Sequence, residues 1–206
     1  MRRRDVFIAG TDTDVGKTWV TTRLIRHFRE QGIDAVGTKP VECGGDEDSR
    51  LILEACQDSG ITTAEVNPVA FPDPLAPAAM EGRGTIDIDR IANIFRDLQA
   101  RHEIVIAEGA GGWLVPLDDN RTMADLAVAL DIPVVIVAAN RLGVLNHTLL
   151  TVRAINSSGL KCAGIYLNDF DGLRDHSSDS NAGVLRRQLP AIPVINSSIA
   201  DLAGLL

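Results

Sequence analysis

The stretch FIAGTDTDVGKTW, residues 7–19, decides how the rest of the chain is read. It continues a short, unbroken apolar run that begins at Asp5 and reads as a strand covered on both faces. Beyond it, Val20, Leu24, Ile25 and Phe28 recur at helical spacing until Gly32. The loop between strand and helix is close to the phosphate-binding pattern G-x-x-x-x-G-K-[ST]. Here five residues separate Gly10 from Gly16, and Thr11 stands where the first glycine is usual. Gly16 lets the backbone approach phosphates, Lys17 supplies a mobile positive charge, and the Thr18 hydroxyl suits Mg²⁺. Asp12 and Asp14 sit in a loop meant for anions, where a carboxylate is repulsive unless a cation or ammonium intervenes. Either aspartate reads as a cap or a solvent-facing residue; alternatively Asp14 helps hold Mg²⁺ or orients an amine.

The same alternation continues down the chain. Residues 34–40, 103–112, 132–140, 160–169 and 192–196 read as further strands. Residues 49–58, 85–102, 122–130, 146–157 and 181–189 read as helices. Residues 67–84 hold four of the nine prolines, with apolar residues threaded between them, and read as an ordered loop or lid. Strands alternating with helices predict an α/β fold of the phosphate-loop NTPase kind. It is expected as one domain over 1–206, a mostly parallel sheet flanked by helices. In such sheets ligands gather beyond the carboxyl ends of the strands.

The formal charge of -8 and pI near 4.9 argue against a broad nucleic-acid or anionic-membrane footprint. No apolar stretch is long enough for a membrane span, and strand-like sequence begins without a signal segment. Cys43, Cys56 and Cys162 are widely spaced and suit a reducing compartment. A cytoplasmic protein is expected.

Three strand ends carry the chemistry. After the opening loop comes Lys39, in TKPVECGGDEDS, which next to a phosphate loop can bridge a transferred phosphoryl group and its acceptor. Asp46, Glu47 and Asp48 begin a helix, where carboxylates cap naturally, and one of them can reach a metal. Glu108 follows IVIA and precedes the glycine-rich Gly109, Gly111 and Gly112, where a phosphate-loop protein carries its second metal carboxylate. His27, His102, His147 and His176 are scattered, and no Ser-His-Asp or Cys/His metal pattern accompanies these residues. The chain reads as a Mg-nucleotide enzyme or switch whose chemistry is phosphoryl transfer.

Taken together, GTDTDVGKT (10–18), KPVECG (39–44), EGAGGWLVPL (108–117), LGVLNH (142–147) and LND (167–169) closely resemble the motifs of the dethiobiotin synthetase family. They run in order across almost the whole chain. The resemblance implies ATP-dependent carboxylation of 7,8-diaminononanoate with CO₂ to a cyclic urea, through a carbamate and its phosphoric anhydride, in a homodimer. It implies that Lys17 and Lys39 neutralise the γ-phosphate and carbamate, and that Thr18, Asp48 and Glu108 surround Mg²⁺. Thr13 would lie near the reacting amine. The ATP site would include Asp14, Val15, Gly16, Lys17, Thr18, Trp19, Glu108 and Gly111, with Asn168 reading adenine. Thr13, Lys39 and Cys43 would meet the substrate, and Gly143, Val144, Leu145 and Asn146 of the second subunit would receive its carboxylate. Cys43 stands where the family commonly has serine, and the C-terminal PVINSSIADLAGLL lacks the family's Glu-Ile-Pro run beside the base.

Three other readings share parts of this pattern. A partitioning-type ATPase switch would carry a lysine at the start of the loop, where this chain has Gly10 and Thr11. A cobyrinate-type amidotransferase would add a glutaminase domain. A paralogous ligase would keep the ATP site and take another amine acceptor.

Overall fold

Residue patterning places six strands side by side, all parallel, in the order Ala35–Thr38 (β2), Ile104–Gly112 (β5), Val6–Gly10 (β1), Val134–Ala139 (β6), Cys162–Asn168 (β7) and Val194–Ile195 (β8). The computed structural model describes residues 4–57, 59–81, 84–169, 175–196 and 198–206. Helices α1 (Lys17–Glu30), α2 (Glu47–Cys56), α4 (Ile88–Arg101), α5 (Met123–Leu130), α6 (Val144–Ser157) and α7 (Ser178–Gln188) cover the faces of the sheet. The expected parallel α/β architecture is present.

The central strands are apolar on both sides because helices cover both sides. Val6, Phe7 and Ile8 of β1 and Val134–Val137 of β6 are fully buried. Each such side chain contributes roughly 1.5–3 kcal/mol relative to exposure. Helix α1 turns Val20, Leu24, Ile25 and Phe28 inward, the positions its spacing marks out.

Several short elements escape the sequence reading. Strands β3 (Val41–Cys43) and β4 (Val69–Phe71) form a separate parallel pair, joined through α2 and the short α3 (Thr63–Val66), and α8 (Ile199–Ala203) packs on α1. Each is five residues or fewer, too short to show a period. The proline-rich 67–84 segment accordingly begins as a strand, and Pro77–Ala79 form a turn of 3₁₀ helix. Helices α2, α6 and α7 each begin two or three residues before the predicted start, at Glu47, Val144 and Ser178.

Chain order reverses around β1: the path runs outward to β2, returns through β5 beside β1, and continues through β6 on the other side. That arrangement opens a crevice at the carboxyl ends of β1, β2 and β5.

Candidate active site

Parallel register puts the key residues side by side. Thr38 of β2 lies opposite Ala107 of β5, so the next residues, Lys39 and Glu108, become neighbours. Ile8 of β1 lies opposite Glu108, which places the start of the phosphate loop on the other flank. The Lys39 backbone is fixed at both ends: its N–H donates to Val66 O at 2.7 Å, and Asn67 Nδ2 donates to its carbonyl at 2.7 Å.

Lys39 Nζ then donates to Glu108 Oε1 at 2.6 Å and to Asp48 Oδ2 at 2.7 Å. Burial alone would depress this ammonium, but Glu108 and Asp48 outweigh it and hold the lysine above its ordinary pKa. Asp48 is shifted the other way: burial pushes its carboxyl up, and Lys39 with Thr18 pulls it below the usual range. Thr18 Oγ1 donates to the same Glu108 oxygen at 2.7 Å. Glu108 Oε2 is buried and has no hydrogen-bond partner among the described residues.

The phosphate loop closes on itself. Gly16 has φ 89°, the left-handed conformation glycine adopts without cost, and it starts α1 so that Lys17 and Thr18 face the crevice. Asp12 accepts the Thr13 N–H at 2.8 Å, a local turn bond that accounts for its presence in an anion loop. Asp14 has φ 55°, a conformation that aspartate tolerates better than most residues. Lys17 Nζ folds back to donate to Asp12 O at 3.0 Å. Burial, reinforced by the nearby Lys39 charge, lowers the Lys17 pKa to about 8 despite Glu108, Asp48 and Asp14.

These groups border a cavity of about 630 Å³, a size that suits a small-molecule ligand. Its wall brings together Thr13, Asp14, Gly16, Lys17, Thr18, Lys39, Cys43, Asp48 and Gly111 of the expected site. Glu42, Gly44, Pro74–Pro77 of the proline-rich segment, Ala110 and Val115 complete it, and none of these is among the expected site residues. Nothing local in the sequence marks Glu42; its burial carries the missing signal. Glu108 lies behind the wall, fully buried and reached through Lys39 and Thr18. Asp46 and Glu47 are exposed, so of the three acidic residues it is Asp48 that faces the cavity.

The other expected residues lie outside this cavity. Val15 is buried beneath the loop, and its carbonyl accepts from Asn168 Nδ2 at 3.1 Å. Trp19 lies on the outer side of α1 with the Arg23 guanidinium 4.2 Å from its ring centroid and Tyr166 6.2 Å away. Gly143, φ 94°, precedes the first turn of α6, with Val144, Leu145 and Asn146 following. Val144 borders a small cleft with Thr11 and Asp12, separate from the main cavity.

The donors fit a hard cation accompanied by phosphates. Among the described residues no group of three or more His, Cys, Asp or Glu side chains can hold a metal alone. Mg²⁺ normally takes one or two carboxylates and shares the rest of its shell with water and substrate phosphates. Asp48, Glu108 with its unpartnered oxygen, and the Thr18 hydroxyl match that requirement.

The AAA domain family matches residues 4–195. The chain is 42% identical over 168 residues to the ATP-dependent dethiobiotin synthetase of Akkermansia muciniphila, covering 81% of this chain and 78% of that protein. It is 43% identical over 197 residues to the enzyme of the same name from Anaeromyxobacter sp. strain K, covering 93% and 88%. Among solved structures, the signal recognition particle receptor FtsY of Elizabethkingia anophelis superposes with a TM-score of 0.60 at 12% identity, over 98% of this chain and 61% of that one. MinD of Pyrococcus horikoshii gives 0.57 at 15% identity, over 98% and 85%. At such identities these two likenesses concern the fold.

Proposed function

The chain belongs to the ATP-dependent dethiobiotin synthetase family, and on that premise we propose that it makes dethiobiotin from 7,8-diaminononanoate, CO₂ and ATP. ADP and phosphate are the other products. One domain carries the whole reaction, in the cytoplasm. Among the described residues no helix is long and apolar enough to cross a membrane.

The observation that carries this reading is the pair of lysines at one cavity. Lys17 follows the phosphate loop after β1, and Lys39 follows β2, on the far side of β5. A carbamate and a triphosphate are both anionic, so positive charge must bring them together before either reacts. One amine of the substrate adds to CO₂ and loses a proton, giving the carbamate. A carbamate oxygen attacks the γ-phosphorus, and ADP leaves. The second amine then attacks the carbamoyl carbon, phosphate leaves, and the urea ring closes with loss of a further proton.

Lys17 exchanges its bond to the Asp12 carbonyl for the γ-phosphate, and Lys39 is placed to hold the carbamate oxygens near it. Thr13 and Cys43 border the acceptor side of the cavity. Thr18, Asp48 and Glu108 would hold Mg²⁺, which supplies charge neutralisation of the phosphates when bound. Asn168, tied to the loop through Val15, leaves its amide oxygen to accept from the adenine amino group. The start of α6 lies away from the main cavity in one protomer. In the proposed homodimer it reaches the partner's cavity, and Gly143–Asn146 receive the substrate carboxylate.

The test is turnover with Mg²⁺, bicarbonate and 7,8-diaminononanoate, omitting each in turn and identifying products by mass. A cyclic urea that needs both amine and CO₂ is expected. ATP hydrolysis indifferent to the diamine would sink the substrate assignment and turn attention to another amine acceptor.

A further inference from the structure

Helix α2 presents Asp48 to the cavity, yet it lacks the usual local cap. Its N-cap residue, Asp46, makes no side-chain capping hydrogen bond, and both Asp46 and Glu47 are exposed. The N–H groups of the first turn are satisfied from elsewhere. Glu42 Oε1 accepts the Asp48 N–H at 2.8 Å, and the Ser49 N–H lies 3.2 Å from Oε2 and 3.3 Å from Oε1. Glu42 is 4% exposed and comes from β3, in a different sheet. A buried carboxylate there is stabilised by the helix dipole as well as by the two N–H groups.

We infer that Glu42 is a positioning residue for the metal-nucleotide site: its carboxylate clamps the first turn of α2 and so fixes where Asp48 presents its own carboxylate. The inference rests on the proposed role of Asp48 as a metal ligand.

The path is continuous. Glu42 holds the Asp48 backbone, and Asp48 Oδ2 accepts from Lys39, which also bonds Glu108. An aspartate side chain has only two rotatable bonds, so fixing its backbone fixes the point from which the carboxylate reaches Lys39 and the cavity. Of the connecting residues, Gly44 and Gly45 both have positive φ and carry no side chain, and the turn is held by the Gly44 N–H donated to Phe71 O at 3.0 Å. Glu42 adds the contact that reaches the Asp48 and Ser49 N–H groups themselves. It touches the first turn of the helix rather than reacting atoms, so its effect must pass through Asp48.

Glutamine at 42 keeps the size but turns one acceptor into a donor that faces an N–H. The experiment measures Mn²⁺ binding in the presence of ADP by electron paramagnetic resonance for wild type, Glu42→Gln, Asp48→Asn and the double variant. Thermal unfolding is followed alongside. Glu42→Gln should weaken Mn²⁺ binding about tenfold, and should add nothing further on the Asp48→Asn background. Wild-type Mn²⁺ affinity in Glu42→Gln, or an equal further loss in the double variant, overturns the inference. A change in melting temperature without a change in Mn²⁺ affinity also overturns it, since that is a structural role alone. Should Glu42→Gln not fold, Glu42→Asp, which keeps the charge but falls one methylene short, carries the same measurement. If Asp48→Asn itself leaves Mn²⁺ binding intact, the metal role of Asp48 fails, and that failure is visible separately from any effect at position 42.

Discussion

Lys39 Nζ lies 2.6 Å from Glu108 Oε1, with the lysine side chain 3% exposed and the glutamate 0%. This pair holds the crevice together, and it also makes each partner hard to remove. Lys39→Gln leaves Glu108 without its ammonium, while the half-exposed Asp48 can be hydrated instead. Breaking a buried pair from one side costs about 3–5 kcal/mol. Denaturant unfolding of Lys39→Gln should show a loss of that order. ATP binding should survive, because Lys17 remains, whereas turnover should fall by about 10²–10³-fold if Lys39 is the proposed bridge to the carbamate. Near-normal turnover would remove Lys39 from the mechanism.

The loop depends on Gly10 for space rather than for backbone angle. A Cβ there would sit 2.6 Å from the Asp12 carbonyl oxygen and 2.9 Å from that of Gly111, both backbone atoms with little room to give. It would also meet Lys17 Nζ at 2.9 Å, on the path that lysine takes across the loop. Gly10→Ala should therefore cost about 1–3 kcal/mol, in the range of overpacking. It should also weaken nucleotide binding at least tenfold, read by calorimetric titration of ADP. An alanine variant with unchanged ADP affinity would show that the loop relaxes freely around the methyl group.

The three thiols should report the cavity differently. Cys43 lines the cavity and is half-buried, whereas Cys56 and Cys162 are buried, with burial pushing each to about 11. Burial, with Glu42 adding and Lys39 opposing, also raises the Cys43 thiol. Alkylation uses the thiolate, and a raised pKa moves its appearance to higher pH. The Cys43 labelling rate should thus rise over a higher pH range than that of an ordinary exposed thiol. Iodoacetamide followed by peptide mass mapping should modify Cys43 first and spare the other two until the protein is unfolded. ATP with diamine should slow Cys43 labelling. A pH profile matching that of the same thiol in the unfolded chain, or indifference to both ligands, would place Cys43 outside the ligand cavity.

Residues whose place follows from strand order were legible in the sequence. Lys39 and Glu108 each stand just beyond an apolar run, Lys17 opens the helix after the phosphate loop, and parallel register brings the strand ends together. Glu42 was not legible, because its task depends on a contact between β3 and α2 that no local period encodes. The same holds for Pro74–Pro77, which reach the cavity only after β4 pairs with β3. Asp46, Glu47 and Asp48 could not be separated by composition; helix phase decides, turning the third inward and leaving the first two in solvent.

Mixing two defective variants tests the shared site. The start of α6 stands apart from the main cavity of its own chain, so a homodimer that joins them divides each site between protomers. Lys39→Gln disables the phosphoryl-transfer side of a site, and Asn146→Ala disables the proposed carboxylate side. In a mixed dimer, one site receives both changes and the other receives neither, because intact Lys39 comes from one chain and intact Asn146 from the other. Random reassortment of equal amounts makes half the dimers mixed, so activity should recover to about a quarter of wild type. The assay unfolds, mixes and refolds the two variants, with each refolded alone as the control. If the mixture shows only the mean of the two controls while sedimentation confirms mixed dimers, both halves of the site belong to the same chain.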